Sequence, residues 1–434
     1  MKKIILLIVI CLITLPGWVF AEEEFSWAAE SRSHSGKNET GEAARDGGKD
    51  TDEPVEKKPF RIRDRKFELG LGHVNAGFAN NFLTTKDIFQ EIAFVDLSEL
   101  KNDLEINLDV FAKPFYFNFQ KKNRWGFGVH VSADAAGILD LSGDMLTLGK
   151  AEKSKSDVSG AAFVNVNIPT FFHVQGIKIK FAPSVYYPLM CVEPDVSYTQ
   201  RDVDGVGIVF DLNYNLRVYT PMPFEDGFSL SNPLTASPGI GFSLGVEYPL
   251  AEMFGLKESF AFLDFKIGVD FINIPVVPAK MNDYMELSGR IGSTEPIDVF
   301  DFDFDDFVQQ NDTVYGEGAK RVFKPFKMLT WSDWKPFRAV PVHFISSFGF
   351  AVNPFYQKKG SIEIGTKARF DLANLFLVTF GVGYHDRLWK NSFDMVLNLR
   401  FFELNLGVDF RSQNFAKSWA GGGFAAKFGL VFGF

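Results

Sequence analysis

Cysteine is nearly absent: the 434 residues hold two, Cys11 and Cys191. Cys11 lies in an N-terminal apolar run that reads as a removable leader. Cys191 is then alone, and no intramolecular disulfide can form. Also lacking, after residue 21, is any apolar run near the roughly eighteen residues that a membrane helix needs. No Walker-type phosphate loop, His-Glu-x-x-His pair or Cys-x-x-Cys occurs, so neither a cofactor nor a metal is expected. Basic clusters are missing too. With 45 Lys and Arg against 54 Asp and Glu, the net charge is -9, which argues against a nucleic-acid partner.

What is abundant is phenylalanine. Its 49 copies raise aromatics to 15%, yet charged residues still make up 23% and mean hydropathy is near zero. Such a chain carries many apolar side chains but does not concentrate them in runs. The N-terminus supplies one exception. Met1-Lys2-Lys3 is a basic start, Ile4 to Phe20 is apolar with Pro16-Gly17 inside it, and Val19-Phe20-Ala21 precedes three glutamates. Residues 1–21 therefore read as a bacterial export signal. Ile10 is too bulky to precede a lipidated cysteine, so Cys11 does not indicate a lipoprotein. Residues 22–65 are almost all charge, Gly, Ser and Thr, and are expected to be a disordered tail.

Beyond residue 65 a period of two takes over. A short stretch, Phe67, Leu69 and Leu71, is followed by Gly- and Asn-rich turns and an amphipathic segment over Thr85–Leu100 that reads as a helix. From residue 105 the alternation persists. In Val206–Val218, valine, isoleucine, phenylalanine, leucine and tyrosine occupy one face, while Asp211, Asn213, Asn215 and Arg217 occupy the other. The same pattern returns at Ile240–Tyr248, Leu263–Phe271, Ile362–Phe370, Phe376–Tyr384, Phe393–Phe401 and Leu404–Phe410. Asp264, Lys266, Asp270, Glu363, Lys367 and Arg369 join the polar face.

These stretches exceed the five or six residues usual for soluble strands and suit tilted membrane strands. Of a soluble two-sheet protein and a membrane barrel, the pattern favours the barrel: apolar residues toward lipid, polar residues toward a lumen. The fold expected is an all-β transmembrane antiparallel β-barrel over 105–434. About thirteen strands can be marked, and since a bacterial single-chain barrel takes an even number, about fourteen are expected, with twelve or sixteen open. The phase inverts between Phe401 and Phe402, which requires a tight turn or a bulge.

The chain closes on "GGGFAAKFGLVFGF", with Phe424, Ala426, Phe428, Leu430, Phe432 and Phe434 on one face. It reads as the closing strand. Phe432 and Phe434 form the terminal aromatic signal expected of a substrate of the outer-membrane barrel assembly machinery. The partners expected are therefore outer-membrane lipid and that machinery.

The stretches "GLGHVNAGFANNFLTTKDIF", "NRWGFGVHVSADAAGILDLSG" and "VYYPLMCVEPDVSYT" resemble a family of spirochaete outer-membrane barrels. More distantly they are similar to the FadL-type long-chain fatty-acid transporters. The FadL resemblance implies about fourteen strands, an N-terminal hatch over 66–104 that plugs the lumen, and a small-molecule substrate such as a fatty acid. The Asn-Pro-Ala hatch motif is absent, and the tail 22–65 has no counterpart.

No catalytic constellation is expected. Gly241-Phe242-Ser243-Leu244-Gly245 matches a nucleophile elbow, but Ser243 falls on the polar face of a strand with no helix after it. His130, His343 and His385 have no sequence relation to it. "DVFDFDFDDF" (298–307) sets Asp301, Asp303 and Asp305 at calcium-loop spacing, yet Asp306 stands where such a loop requires glycine. It is better read as a solvated acidic loop whose phenylalanines pack on the barrel rim, where Phe302 and Phe304 would suit an apolar lip for a greasy ligand. The leading expectation is thus an outer-membrane channel or transporter for hydrophobic or amphipathic nutrients. The polar lumen equally suits a porin for small hydrophilic solutes. A long loop insertion at 272–340 suits a surface-exposed structural or adhesive protein.

Overall fold

A computed structural model describes residues 65–80, 104–121, 124–141, 153–174, 176–203, 207–223, 234–250, 264–293, 307–336, 340–356, 359–372, 375–399, 401–419 and 422–433. Strand β1 (Phe67–Asn80) pairs with β2 (Leu104–Lys121) on one side and with β18 (Gly423–Gly433) on the other, so the sheet closes on itself. Beyond β2 come β3 (Trp125–Leu141) and then a wall strand in two pieces, β4 (Lys153–Asn167) and β5 (Thr170–Val174). Both lie between β3 and β6 (Ile177–Val203) and are parted by Ile168-Pro169.

Three further wall strands are split in the same way. β7 (Gly207–Thr220) and β8 (Gly239–Pro249) both pair with β6. β9 (Asp264–Val277) and β10 (Ala279–Ser293) are divided at Pro278, which has no N–H for a ladder. β11 (Phe307–Val322) and β12 (Phe326–Lys335) are divided by residues 323–325. The rest are single: β13 (Val342–Val352), β14 (Gly360–Leu372), β15 (Phe376–His385), β16 (Leu388–Asn398) and β17 (Phe402–Ser412). Eighteen segments with four shared positions make fourteen wall strands, all antiparallel, in a closed barrel. A single helical turn, α1 (Phe415–Trp419), precedes β18.

The two chain ends of the barrel, Phe67 and Gly433, lie at one end of the wall, here called the terminal end. Connections there are mostly short, such as 122–124, 373–375 and 399–401. The wall is uneven in height. β6 runs for 27 residues and β11 for 16, whereas β13 and β16 have 11 and β15 has 10. One side therefore stands tall at the far end, and the β12–β16 side forms a low rim.

Register explains why alternation in the sequence becomes inside and outside. One row runs Phe344, Ala368, Phe380, Phe393, Val408, Ala426, Ala76, Val110 across eight neighbouring strands, all apolar. The next row runs His343, Arg369, Thr379, Asp394, Gly407, Lys427, Asn75, Phe111, Asp134, Phe163. Phe348, Ile362, Phe380 and Phe424 are more than half exposed on the outer face, while Asp134, His343 and Arg369 are buried on the inner one. An apolar outside and a polar inside invert the arrangement of a water-soluble protein.

Two sequence expectations change, and one open alternative is settled. The stretch 66–80, assigned to a hatch within 66–104, is a wall strand: Phe67–Asn80 carries paired partners on both edges, so the barrel begins at Phe67 and not at 105. The helix expected at Thr85–Leu100 lies outside the described residues. The insertion expected at 272–340 is instead wall, formed by the end of β9, β10, β11 and β12, with residues 294–306 outside the description. The phase inversion at Phe401 is a tight turn, closed by Leu399 N–H to Phe402 O at 2.7 Å and Phe402 N–H to Leu399 O at 3.3 Å. Residues 1–64, which include the leader and the tail, are also outside the description.

Candidate functional site

Among the described residues, the barrel interior is the surface that brings the singled-out polar residues together: it holds three buried charged groups and an apolar one, with a more exposed charged cluster on the tall side. Toward the terminal end, Lys180 on β6 faces Glu247 on β8 at 3.7 Å and Asp270 on β9 at 3.8 Å. Lys266 lies 3.6 Å from Glu247. Trp331 on β12 donates its indole N–H to Asp270 at 2.7 Å, and Lys180 sits over the indole at 5.3 Å. Asp333 then accepts from His343 at 2.9 Å and from Arg369 at 3.2 Å. Charges so deeply buried persist only when each is matched by an opposite charge or a donor, as here.

This packing depends on small residues. Trp331 pairs with Gly268, and a Cβ at 268 would occupy the space of the indole ring. The glycine lets a large side chain lie flat against the neighbouring strand and reach Asp270 beyond it.

At the low rim, the β15–β16 turn (Asp386 and Arg387, both at positive φ) is tied down from several sides. Lys327 reaches Asp386 at 3.0 Å, Lys390 reaches it at 3.5 Å, and Glu363 accepts the Asp386 N–H at 3.0 Å. Glu363, fully buried, also bonds His385 at 2.7 Å. A third group crosses the closure of the barrel: Arg411 on β17 bonds Asp409 at 3.0 Å and pairs with Asp109 on β2. Lys427 on β18 reaches Asp409 at 2.8 Å and Asp394 at 3.1 Å.

The apolar group lies where the split wall strands meet. Phe163, Tyr186, Cys191, Tyr219, Met281 and Val322 form a buried cluster on the inner side of β4, β6, β7, β10 and β11. Tyr186 donates to Val277 O at 2.9 Å, passing over Gly239, its partner in the sheet. Phe355, from the β13–β14 connection on the low rim, packs its ring 5.6 Å from that of Phe163.

Two low-rim connections and the neighbouring break in the β11–β12 wall strand thus reach side chains across the barrel to the facing wall. Lys324, in the 323–325 break, bonds Asp134 on β3 at 3.0 Å. Phe355 meets Phe163 on β4. Arg387 lies 3.6 Å from Glu105 on β2. The mouth at the far end is bridged by side chains.

Of the residues expected to line a lumen, Asp270, Glu363 and Arg369 lie buried in these groups, and Lys266 and Lys367 are half-buried on the same inner face. Asn215 and Arg217 belong to a separate cluster on the tall side. There Arg217 bonds Glu286 at 2.7 and 3.1 Å, Asn215 bonds it at 2.8 Å, and Arg217 lies over the Tyr284 ring at 4.7 Å. Asn213 is exposed on that strand. The side chains of Asp211 and Asp264, and all of Phe302, Phe304 and Phe434, fall outside the described residues. Phe432 faces outward and packs against Phe402, ring centroids 5.5 Å apart.

Ser243 accepts a hydrogen bond from the Asn273 N–H at 3.1 Å, at a bulge where Asn273 has φ 55°. The hydroxyl pins an irregular strand. The three histidines bond elsewhere: His130 to Asn118 at 2.8 Å, His343 to Asp333 and His385 to Glu363. Sequence reading missed Lys324, Asp134, Phe163 and Phe355. Their partners are far apart in the chain, and only the closed sheet brings them together.

No protein-family model matches the sequence, and no curated protein matches it. Among solved structures the chain is similar to the P. putida toluene transporter TodX, at 10% identity over 85% of this chain and 89% of that one, with a TM-score of 0.41. It is similar to the CymD monoaromatic hydrocarbon channel at 10% identity, over 86% and 89%, with a TM-score of 0.42. A Rhodopseudomonas blastica porin triple mutant matches at 9% identity, over 85% and 100%, with a TM-score of 0.23. The barrel described above rests on the chain's own pairing register.

Proposed function

We propose that this chain is an outer-membrane β-barrel channel that passes hydrophobic or amphipathic small molecules, of the kind expected for a FadL-type transporter. The carrying observation is the contact of Phe355 with Phe163 across the mouth, backed by the buried cluster around Tyr186 and Met281. A water-filled pore is ordinarily lined by polar groups. Here a solute entering from the far end meets the Phe163–Phe355 contact and the apolar cluster beside it, set among matched charges such as Lys324–Asp134 and Arg387–Glu105. An apolar wall with a few placed polar groups is the usual form of a site for an amphipathic ligand. The outer apolar rows supply the lipid-facing surface, and the short connections of the terminal end suit the periplasmic side.

The test is binding of a fluorescent long-chain fatty acid to the detergent-purified protein, beside sugar swelling of proteoliposomes. Saturable binding is expected, with little swelling. Phe163→Ser and Phe355→Ser should each weaken binding about tenfold, since burying one such side chain contributes about 1.5 kcal/mol or more. Ready sugar swelling without fatty-acid binding would instead establish a porin for hydrophilic solutes, a reading to which the interior charges lend themselves.

A further inference from the structure

Asp134 and Phe163 are direct partners in the β3–β4 ladder, and each is touched by a different segment of the facing wall, the 323–325 break and the β13–β14 connection. Phe355 covers the ring, and Lys324 takes the carboxylate at 3.0 Å. Asn165 bonds the same carboxylate oxygen. The two segments are neighbours, because Phe326 and Val352, which flank them, are paired. Asn273 holds the shorter one by donating to Pro325 O at 3.0 Å.

The two contacts differ in kind. Had the mouth only to be kept shut, apolar residues continuing the Phe163 cluster would do so at lower cost, since a buried ion pair seldom outperforms well-packed hydrophobic side chains. An ion pair has one property that an apolar contact lacks. When it separates into water both partners are well solvated, so the open state carries no exposed greasy surface. That is what a closure meant to open needs.

We propose that the Lys324–Asp134 pair is the latch of a gate at the far mouth, and that passage requires it to part and let residues 323–325 withdraw from the lumen. This rests on the reading of the chain as a channel, but not on which solute it carries. Potassium chloride conductance in planar bilayers reports on the gate alone. Lys324→Ala should raise mean conductance several-fold, Lys324→Arg should leave it near that of the parent, and each barrel is checked by its heat-dependent shift on a gel. Lys324→Gln keeps the length and one hydrogen bond; if the alanine variant does not assemble, the glutamine one should still conduct more than the parent. In a Cys191→Ser background, Lys324→Cys with Asp134→Cys should conduct more than the parent until a short bis-maleimide bridges the two thiols and silences it. Folded neutral variants with parental conductance, or a bridged barrel that still conducts freely, would overturn the latch. Absent fatty-acid binding together with the expected conductance changes would defeat the ligand class and leave the latch standing.

Discussion

Arg411 on β17 pairs with Asp109 on β2 although two other strands, β18 and β1, lie between them. Asp409, Ala425, Gly77 and Asp109 stand in one row across these four strands. The two middle residues are small, and the guanidinium lies over them. A Cβ at position 77 would run into it. The first and last strands of a barrel must be brought together across the longest sequence separation in the chain. This clasp adds a bridge over that closure to the backbone ladder.

Removing the arginine side chain leaves Asp109 and Asp409 facing each other's charge in a buried place, with Lys427 still serving Asp409. Breaking a buried pair from one side costs on the order of 3–5 kcal/mol. Arg411→Ala should therefore lower the temperature at which the folded band converts on gels, and Gly77→Val should act in the same direction by displacing the guanidinium. An unchanged transition in both variants would show that the backbone ladder alone closes the barrel.

The outer face gives a prediction of opposite character. Phe428 points outward from β18, beside Leu406 and Val74 on its neighbours. An arginine facing lipid near the bilayer centre costs about 2–4 kcal/mol. Phe428→Arg should reduce the fraction of protein recovered as assembled barrel in outer membranes, while Phe428→Leu should not. Equal recovery of the two would remove lipid from that face.

How far this was legible in the sequence depended on what each strand touches. β13 to β18 meet an apolar phase outside and a polar one inside, so Ile362–Phe370 and Phe376–Tyr384 could be read directly. β11 could not: Asp312, Thr313, Val314 and Tyr315 are all exposed, so no period of two is imposed and the stretch reads as a loop. β1 was hidden by its many small residues, among them Gly77, which serve the side chains lying over them. The bridge at the mouth had no sequence signal. Lys324 and Asp134 are 190 residues apart, and neither lies in a motif.

The glycine-for-ring exchange at the terminal end can be tested separately. Trp331→Phe keeps a ring over Gly268 but removes the hydrogen bond to Asp270. Hydrogen bonds to charged groups contribute about 1.5–3 kcal/mol. The urea midpoint in detergent should fall for Trp331→Phe, and fall again for Gly268→Leu, which takes the space of the indole. No change in Trp331→Phe would mean that Lys180 alone sustains the buried aspartate.

Arg217 offers a change in permeation without a change in fold. Its side chain is 41% exposed, on the tall wall, and its partner Glu286 is 22% exposed. A pair this open to solvent contributes little to stability, about 1 kcal/mol or less. Arg217→Glu should thus leave the gel shift of the folded barrel in place. It would set a new carboxylate beside Glu286 in the sheet, since the two positions are direct partners, and Glu193 on β6 is the partner of Arg217 from the other side. Three carboxylates in one row on the tall side would favour cations over anions. The reversal potential across a salt gradient should move in the cation-selective direction, more at low ionic strength, where screening is weak. To give a signal if the closed mouth limits current, the same exchange should be measured in the Lys324→Ala background. An unmoved reversal potential there, in a barrel that conducts, would show that ions do not pass along the β7–β10 face.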